Sequence, residues 1–402
     1  MPFAVYLLGL AVFAQGTSEF MLSGLVPGIA RDLHVSIPAA GLLTSAFAAG
    51  MVVGAPLMAV LSLRLSRRSA LLTFLVVFLL VHVVGALTTS YEVLLVTRVL
   101  AALANAGFLA VAMATAIGLA PPDAKGRATS ILLGGVTIAC VAGVPGGALL
   151  GELWGWRSAF WAVAIALVPA IVAVLKSVPA ARGVRESGAR DELRALRRPR
   201  LLVLLALGAL VNGGTFCTFT YLAPLLTEVS GIGTAWLPGM LALFGLGSFA
   251  GVTIGGRIAD VRPTLLLVVG GPALVTGWAL FAASAGALVP AVVLVFVQGT
   301  LSFAVGSTLI SQVLYAATDA PTLAGGFATA AFNVGAALGP WLGGVVIGAG
   351  FGFRAPVWVS AGLVAAALAV AAAAHLLPRL TPRLAPADLP SDPAPGPGRP
   401  PV

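Results

Sequence analysis

The stretch GWRSAFW, residues 155–161, returns as GFRAPVW at residues 352–358. Gly155 falls on Gly352, Arg157 on Arg354 and Trp161 on Trp358, an offset of 197 residues. The same offset, with no gap, pairs Gly16 with Gly213, Pro27 with Pro224, Phe47 with Phe244, Gly50 with Gly247 and Gly54 with Gly251. Closer to the motif it also pairs Gly146 with Gly343, Gly147 with Gly344 and Gly151 with Gly348. Glycine is common here, so a single glycine match carries little. An arginine, a tryptophan and a proline held at one register carry much more. A repeat of this length means two copies of one structural unit.

Composition says what the unit is made of. The chain is 59% hydrophobic and only 9% charged, with a mean hydropathy of +1.07. A soluble domain carries about 25% charged residues, so the chain is an integral membrane protein. Apolar runs of about 20 residues predict membrane helices. Twelve such runs occur, at 3–28, 38–62, 69–89, 92–119, 128–150, 157–178, 201–226, 236–258, 264–285, 288–315, 323–348 and 355–377. The first has no charged leader before it and reads as a retained span. The expected fold is therefore all-α, with twelve transmembrane helices in two parallel six-helix halves, 1–178 and 201–377. A basic cytoplasmic loop, 179–200, joins them, and a Pro-rich tail, 378–402, is expected to be disordered.

Charge sets the orientation. With the N-terminus inside, 18 of the 22 Lys and Arg residues fall in inner loops and the tail, and three fall outside. That bias predicts a plasma-membrane protein with both termini cytoplasmic. The loop 179–200 mixes Glu186, Asp191 and Glu192 among its arginines, which favours a solvated linker near anionic lipid over a nucleic-acid tract. Cys140 and Cys217 lie inside apolar runs, and His34, His82 and His375 show no ligand spacing, so no metal site is expected. The two lysines, Lys125 and Lys176, lie in no phosphate-binding loop, which argues against an ATP-driven pump. No Ser/His/Asp set lies within the spans, which argues against an enzyme. No cofactor is expected.

Two charged residues lie well inside spans: Glu19 and Arg98. A carboxylate in hydrocarbon is costly and must face a cavity, pair or carry a proton. Glu19 lies roughly 13 Å from the outer end of the first span, and Arg98 roughly 9 Å into the fourth, at 1.5 Å per residue. These depths allow contact or a link through water. Gln15, Glu19 and Ser23 share one helix face, and Pro27 is expected to bend or end the helix. Glu19 is either the acid that carries the proton or a structural group bonded to Arg98 or Gln15. Asp32 and Glu92, near the outer ends, read as solvated.

Several stretches resemble the major facilitator superfamily. Its loop between helices 2 and 3 is matched by GRIADVRP through Gly256 and Asp260, and less closely in the first half by Arg64, Arg67 and Arg68, where Leu63 replaces the family's Asp. RVLAALANAG resembles the Arg-bearing helix 4 of proton-coupled members through Arg98. GGVTIACVAGVPGG is similar to the antiporter signature of helix 5 through Gly134, Gly143, Pro145, Gly146 and Gly147. More narrowly, GTSEFMLSGLVP and FVQGTLSFAVGSTLISQVLY resemble chloramphenicol-resistance exporters of the drug:proton antiporter-1 group in actinobacteria.

The resemblance implies a proton-coupled drug exporter, mostly monomeric, whose helices 1, 4, 7 and 10 line a central cavity. On this sequence the cavity candidates are Gln15, Glu19, Asn105, Asn212, Phe216, Phe219, Gln298 and Ser302. Such a set suits a neutral, amphipathic small molecule with an aryl ring. The resemblance gives the helix 5 residues and the two cytoplasmic loops gating roles. Small residues there are also expected to let helix 5 pack tightly. Export of an endogenous sugar or nucleoside, or sensing without transport, would use the same fold.

Overall fold

The computed structural model describes residues 2–62, 65–121, 124–178, 198–316 and 321–380, and of residues 56, 59, 60, 62, 126, 259, 260, 321–324 and 376–380 the backbone alone. Arg64, the linker from 179 to 197 and the tail from 381 lie outside these residues, as does the side chain of Asp260. The described residues are helical, and twelve helices are long and apolar enough to cross a membrane.

The first six are α1 (Phe3–Phe20, resumed as Leu22–Asp32), α2 (Ile37–Ser62), α3 (Arg67–Leu87), α4 (Tyr91–Leu119), α5 (Lys125–Ile138, a π-turn at Ala139–Gly143, then Val144–Trp154) and α6 (Arg157–Ser177). The second six are α7 (Pro199–Thr220, then Leu222–Pro224 and a π-turn at Leu225–Val229), α8 (Leu237–Val261), α9 (Pro263–Ser284), α10 (Leu288–Ala316), α11 (Pro321–Val346 with a π-turn at Ile347–Phe351) and α12 (Ala355–Leu380). The spans read from hydropathy match these helices to within a few residues at each end.

Serine hydroxyls start two of the helices. Ser66 Oγ accepts the amide of Ser69 at α3, and Ser90 Oγ accepts that of Val93 at α4, each satisfying a donor the helix leaves open. Large apolar side chains such as Phe249, Leu280 and Val293 point outward and are exposed. That is the expected face toward lipid chains. The buried apolar side chains form two main clusters, one drawn from α1 to α6 and one mostly from α7 to α12.

The repeat has a physical reason at its glycines. Gly50 brings α2 onto α4, where an added Cβ would meet Ala102 Cβ at 2.7 Å and the Val99 carbonyl at 3.1 Å. Gly247, its counterpart, brings α8 onto α10 against the carbonyl of Phe296. Close helix approach without side chains is the membrane packing mode. The arginine of the repeated motif is structural in the same paired way. Arg157 donates to the Thr88 carbonyl at 2.9 Å in the turn between α3 and α4, and Arg354 lies over Gly286 in the turn between α9 and α10.

Asp32, exposed as expected, is also tied down by Arg157, the one ion pair among the described residues, and accepts Trp156 Nε1–H at 3.0 Å. These two donors hold its carboxyl below the usual carboxylate range. A lowered folded value contributes stability above the unfolded value and loses it as pH falls. Asp32→Asn should therefore lower the Tm of the purified protein by about 1–3 °C at neutral pH. The difference should shrink as the pH falls below the ordinary carboxylate range and vanish once wild-type Asp32 is itself protonated. Thermal unfolding across that pH range checks it.

Candidate functional site

The site grows from a break in α1. The helix is interrupted at Met21, six residues before Pro27, and then runs through Pro27 to Asp32. Pro27 lies inside the second segment, six residues beyond the break, and the helix runs on through it to Asp32. Successive residues of a helix point about 100° apart. Just before the break, Ser18, Glu19 and Phe20 use that divergence to face three different surroundings.

Ser18 points into its own half. Arg98, 1% exposed, donates from Nη1 to Ser18 Oγ and from Nη2 to the Ser18 carbonyl, both at 2.8 Å. Its guanidinium also lies over the Phe47 ring, 4.5 Å from the centroid, a contact that suits a desolvated cation. Ser18 Oγ lies 2.6 Å from His82 Nε2, and His82 Nδ1 lies 2.7 Å from the Phe78 carbonyl. Phe20 points the other way. Its ring meets Phe216 of α7 at 5.9 Å. Glu19 lies between them, half-buried. It feels the charge of Arg98 but lies beyond 4 Å of it.

The aromatic pocket follows from α7. Phe216 and Phe219 pack edge to face at 6.1 Å, Phe219 stacks on Phe244 of α8 at 4.7 Å, and Phe303 of α10 closes the group. With Phe20, Cys140, Thr215 and Ser248 these rings line a cavity of about 10 Å³. That holds about one water, so the rings must part to admit a drug-sized molecule. Gln15, fully buried one turn before Glu19, has neither amide atom paired among the described residues. The Ser302 hydroxyl of α10 is likewise buried and unpaired.

Three expected cavity residues are instead engaged between helices. Gln298 donates to the Leu274 carbonyl of α9 at 3.3 Å and packs on Gly277, so it faces α9 rather than the aromatic pocket. Asn212 donates to the Phe332 carbonyl of α11 at 2.7 Å. Asn105 donates to Met51 Sδ of α2 at 3.5 Å, and its Oδ1 is left unpaired. An amide inside a span takes the nearest backbone or sulfur acceptor, because water is absent. The helix 5 glycines divide in a similar way. Gly143 packs on Thr17, and Gly147 would place a Cβ 2.9 Å from Met21 Cβ, so α5 does close on α1. Gly134 and Gly146 have no neighbour within 4 Å, so tight packing is not their use. Pro145 is the second residue of the helix that follows the π-turn Ala139–Gly143. Toward the end of the bundle that carries the chain's N-terminus, the Arg67 guanidinium lies against Gly118 of α4, Arg68 is half-buried and Gly256 has open space around it.

The named contacts between the first and last six helices lie toward the end of the bundle opposite the chain's N-terminus. Gly245 of α8 would place a Cβ 2.6 Å from the Cys140 carbonyl in the π-turn of α5. Thr234 Oγ1 donates to Glu152 at 3.0 Å, and Gly344 of α11 meets Pro38 of α2. The phenol of Tyr221 seats against Gly41 and donates to the Pro340 carbonyl at 2.8 Å. The polar chain is confined to the first half. The repeat offset places Phe216, Val295 and Ala279 where the first half has Glu19, Arg98 and His82.

Sequence reasoning missed Ser18, His82 and Phe47. The available signal was His82 itself, an ionisable side chain inside a span.

Twelve membrane helices in repeated halves, a broken first helix with an acid at the break and a pocket at the junction of the halves define a multi-pass membrane transporter of the Major Facilitator Superfamily. The chain belongs to that family, whose profile matches residues 8–325. Among its relatives is a chloramphenicol resistance protein of Streptomyces lividans, 56% identical over 372 residues, covering 92% of this chain and 95% of the relative. The inner membrane transport protein YdhP of Escherichia coli (strain K12) is 35% identical, covering 90% and 92%. Among solved structures, a bacterial homologue of the human lysosomal transporter Spinster, in an inward-facing and occupied conformation, superposes with a TM-score of 0.70. It is 18% identical in sequence, and the match covers 93% of this chain and 96% of that one. At that identity the likeness concerns the fold.

Proposed function

We propose that this chain is a proton-coupled secondary exporter of neutral, aryl-bearing drugs, with chloramphenicol as cargo. It sits in the plasma membrane with both termini cytoplasmic. The two six-helix halves, 1–178 and 201–377, rock about the aromatic pocket. With that orientation, the named contacts between the halves lie at the outer end, so the described state opens inward.

The observation that carries the reading is the placement of Glu19 between two neighbours in sequence. Ser18 ties it to the buried cation Arg98, and Phe20 ties it to the pocket. Antiport needs two ligands that favour different states. A proton on Glu19 and a drug among Phe20, Phe216 and Phe219 draw on the same small volume, so each hinders the other. The rings supply apolar area with defined faces, and Gln15 and Ser302 supply amide and hydroxyl groups for the polar end of the cargo. The 56% identity to a chloramphenicol resistance protein supports the choice of cargo.

Everted vesicles containing the wild-type protein should accumulate chloramphenicol when their interior is made acidic, and should lose it when the gradient is collapsed. Uptake indifferent to the gradient would sink proton coupling. No uptake under any gradient would remove chloramphenicol as cargo.

A further inference from the structure

We propose that His82 is a positioning residue: acting through Ser18, it holds Arg98 away from Glu19 and so sets the pH at which Glu19 exchanges its proton. The inference rests on the proton-coupled reading above and extends it to a residue on α3 that touches neither proton site nor pocket.

The hydrogen-bond accounting fixes the arrangement. The Phe78 carbonyl can only accept, so His82 Nδ1 carries a hydrogen and donates to it at 2.7 Å. If Nε2 also carried a hydrogen, Ser18 Oγ would accept from two cations and its own proton would have no acceptor. The consistent state is a neutral imidazole whose Nε2 accepts the Ser18 hydroxyl proton at 2.6 Å. The lone pairs of Ser18 Oγ then turn to Arg98 Nη1. Together with the Ser18 carbonyl this gives the guanidinium a two-point seat, with the Phe47 ring against its face.

The seat is rigid. His82 is 1% exposed, stacks on Phe78 at 4.3 Å and meets the Phe160 ring of α6 at 5.6 Å. The charged groups on its side are Arg98 from α4 and, beyond Ser18, Glu19 from α1, which the Cys140 thiol in the π-turn of α5 faces. Helix α6 meets it with the Phe160 ring. Guanidinium and carboxylate are thus one residue apart along α1, yet they do not form an ion pair. Remove the acceptor at position 82, and the Ser18 hydroxyl is free to rotate away from its role. Arg98 is then released toward the nearest anion, Glu19. A closer cation favours the carboxylate, so proton loading needs a more acid medium.

The test uses His82→Phe, which keeps the ring stack and removes the acceptor, and Ser18→Ala, which removes the hydroxyl point of the seat and leaves the carbonyl. Infrared titration of the full-length protein in liposomes reads the Glu19 carboxyl band, assigned by its loss in Glu19→Gln. Both variants should move that titration, and the pH profile of gradient-driven chloramphenicol uptake, toward acid by about half a pH unit or more. The double variant should move no further than either single one, because both break the same chain. His82→Gln, which restores an acceptor, should recover part of the shift. An unmoved Glu19 band in folded His82→Phe and Ser18→Ala would overturn the inference and make His82 a packing residue, whatever happens to turnover. If the band moves but wild-type uptake ignores the gradient, the positioning role stands and the proton-coupled reading falls.

Discussion

Glu19→Gln is expected to reduce pH-gradient-driven chloramphenicol accumulation in everted vesicles to background at matched expression. The amide keeps the volume and hydrogen-bonding reach of the acid but cannot take up and release a proton. Drug-for-drug counterflow across the membrane, which needs no net proton movement, should survive. That combination separates coupling from binding. Loss of counterflow together with driven uptake would make Glu19 a structural or cargo-holding group, and full retention of driven uptake would send the proton elsewhere. Removing the acid also leaves Arg98 seated on Ser18 and Phe47. The variant therefore has no reason to unfold, and its Tm should stay within a few degrees of wild type.

The second large effect is expected at Gly245. The close neighbours of a Cβ added there, the Cys140 carbonyl at 2.6 Å and Val141 Cα at 3.0 Å, belong to the π-turn of α5 in the other half. Backbone atoms on both sides leave nothing soft to yield. Gly245→Leu should spare the fold of each half and prevent only their close approach where α5 meets α8. Turnover should fall to background while the purified protein keeps its Tm, and the population should shift away from the state described. On the proposed orientation, the readout is a cysteine placed near the outer ends of α5 and α8: it should label rapidly from outside in the variant and slowly in the parent. Unchanged labelling with normal turnover would show that this contact does not close the outer end. By contrast, Gly50→Leu, whose contacts lie within one half, should cost expression itself.

The fold was legible because a membrane leaves few choices. Twelve apolar runs and one gapless offset already specify helices and repetition, and the helices of the structure follow those runs. Glu19 and Arg98 were legible as the rare charges inside spans. The link between them was not. Ser18 looks like any serine in a helix, and a lone histidine such as His82 has meaning only once α3, α1 and α4 are side by side. The cavity candidates lie in different surroundings for the same reason. Phe216 and Phe219 line the pocket because their face of α7 turns toward α8 and α10, whereas Gln298, on α10, turns toward α9. A one-residue change of heading moves a side chain by about 100°, and hydropathy this uniform does not record heading. The break at Met21 left no trace either, since neither Met21 nor Leu22 is a helix breaker, and the nearest proline is six residues away.

Gene duplication hands a protein two copies of every part, and here one copy kept the ionisable hardware while the other turned to oil. Phe216, Val295 and Ala279 stand where the first half has its acid, its cation and its histidine. On the proposed mechanism the fuel belongs to the first copy alone, while the freight is gripped mostly by the second, with Phe20 and Gln15 lent by the first. A population under selection by a new antibiotic can reshape the aryl-gripping copy, one aromatic at a time, and leave the engine in the other copy running. Resistance to further compounds should accordingly arise first by substitutions along α7, α8 and α10.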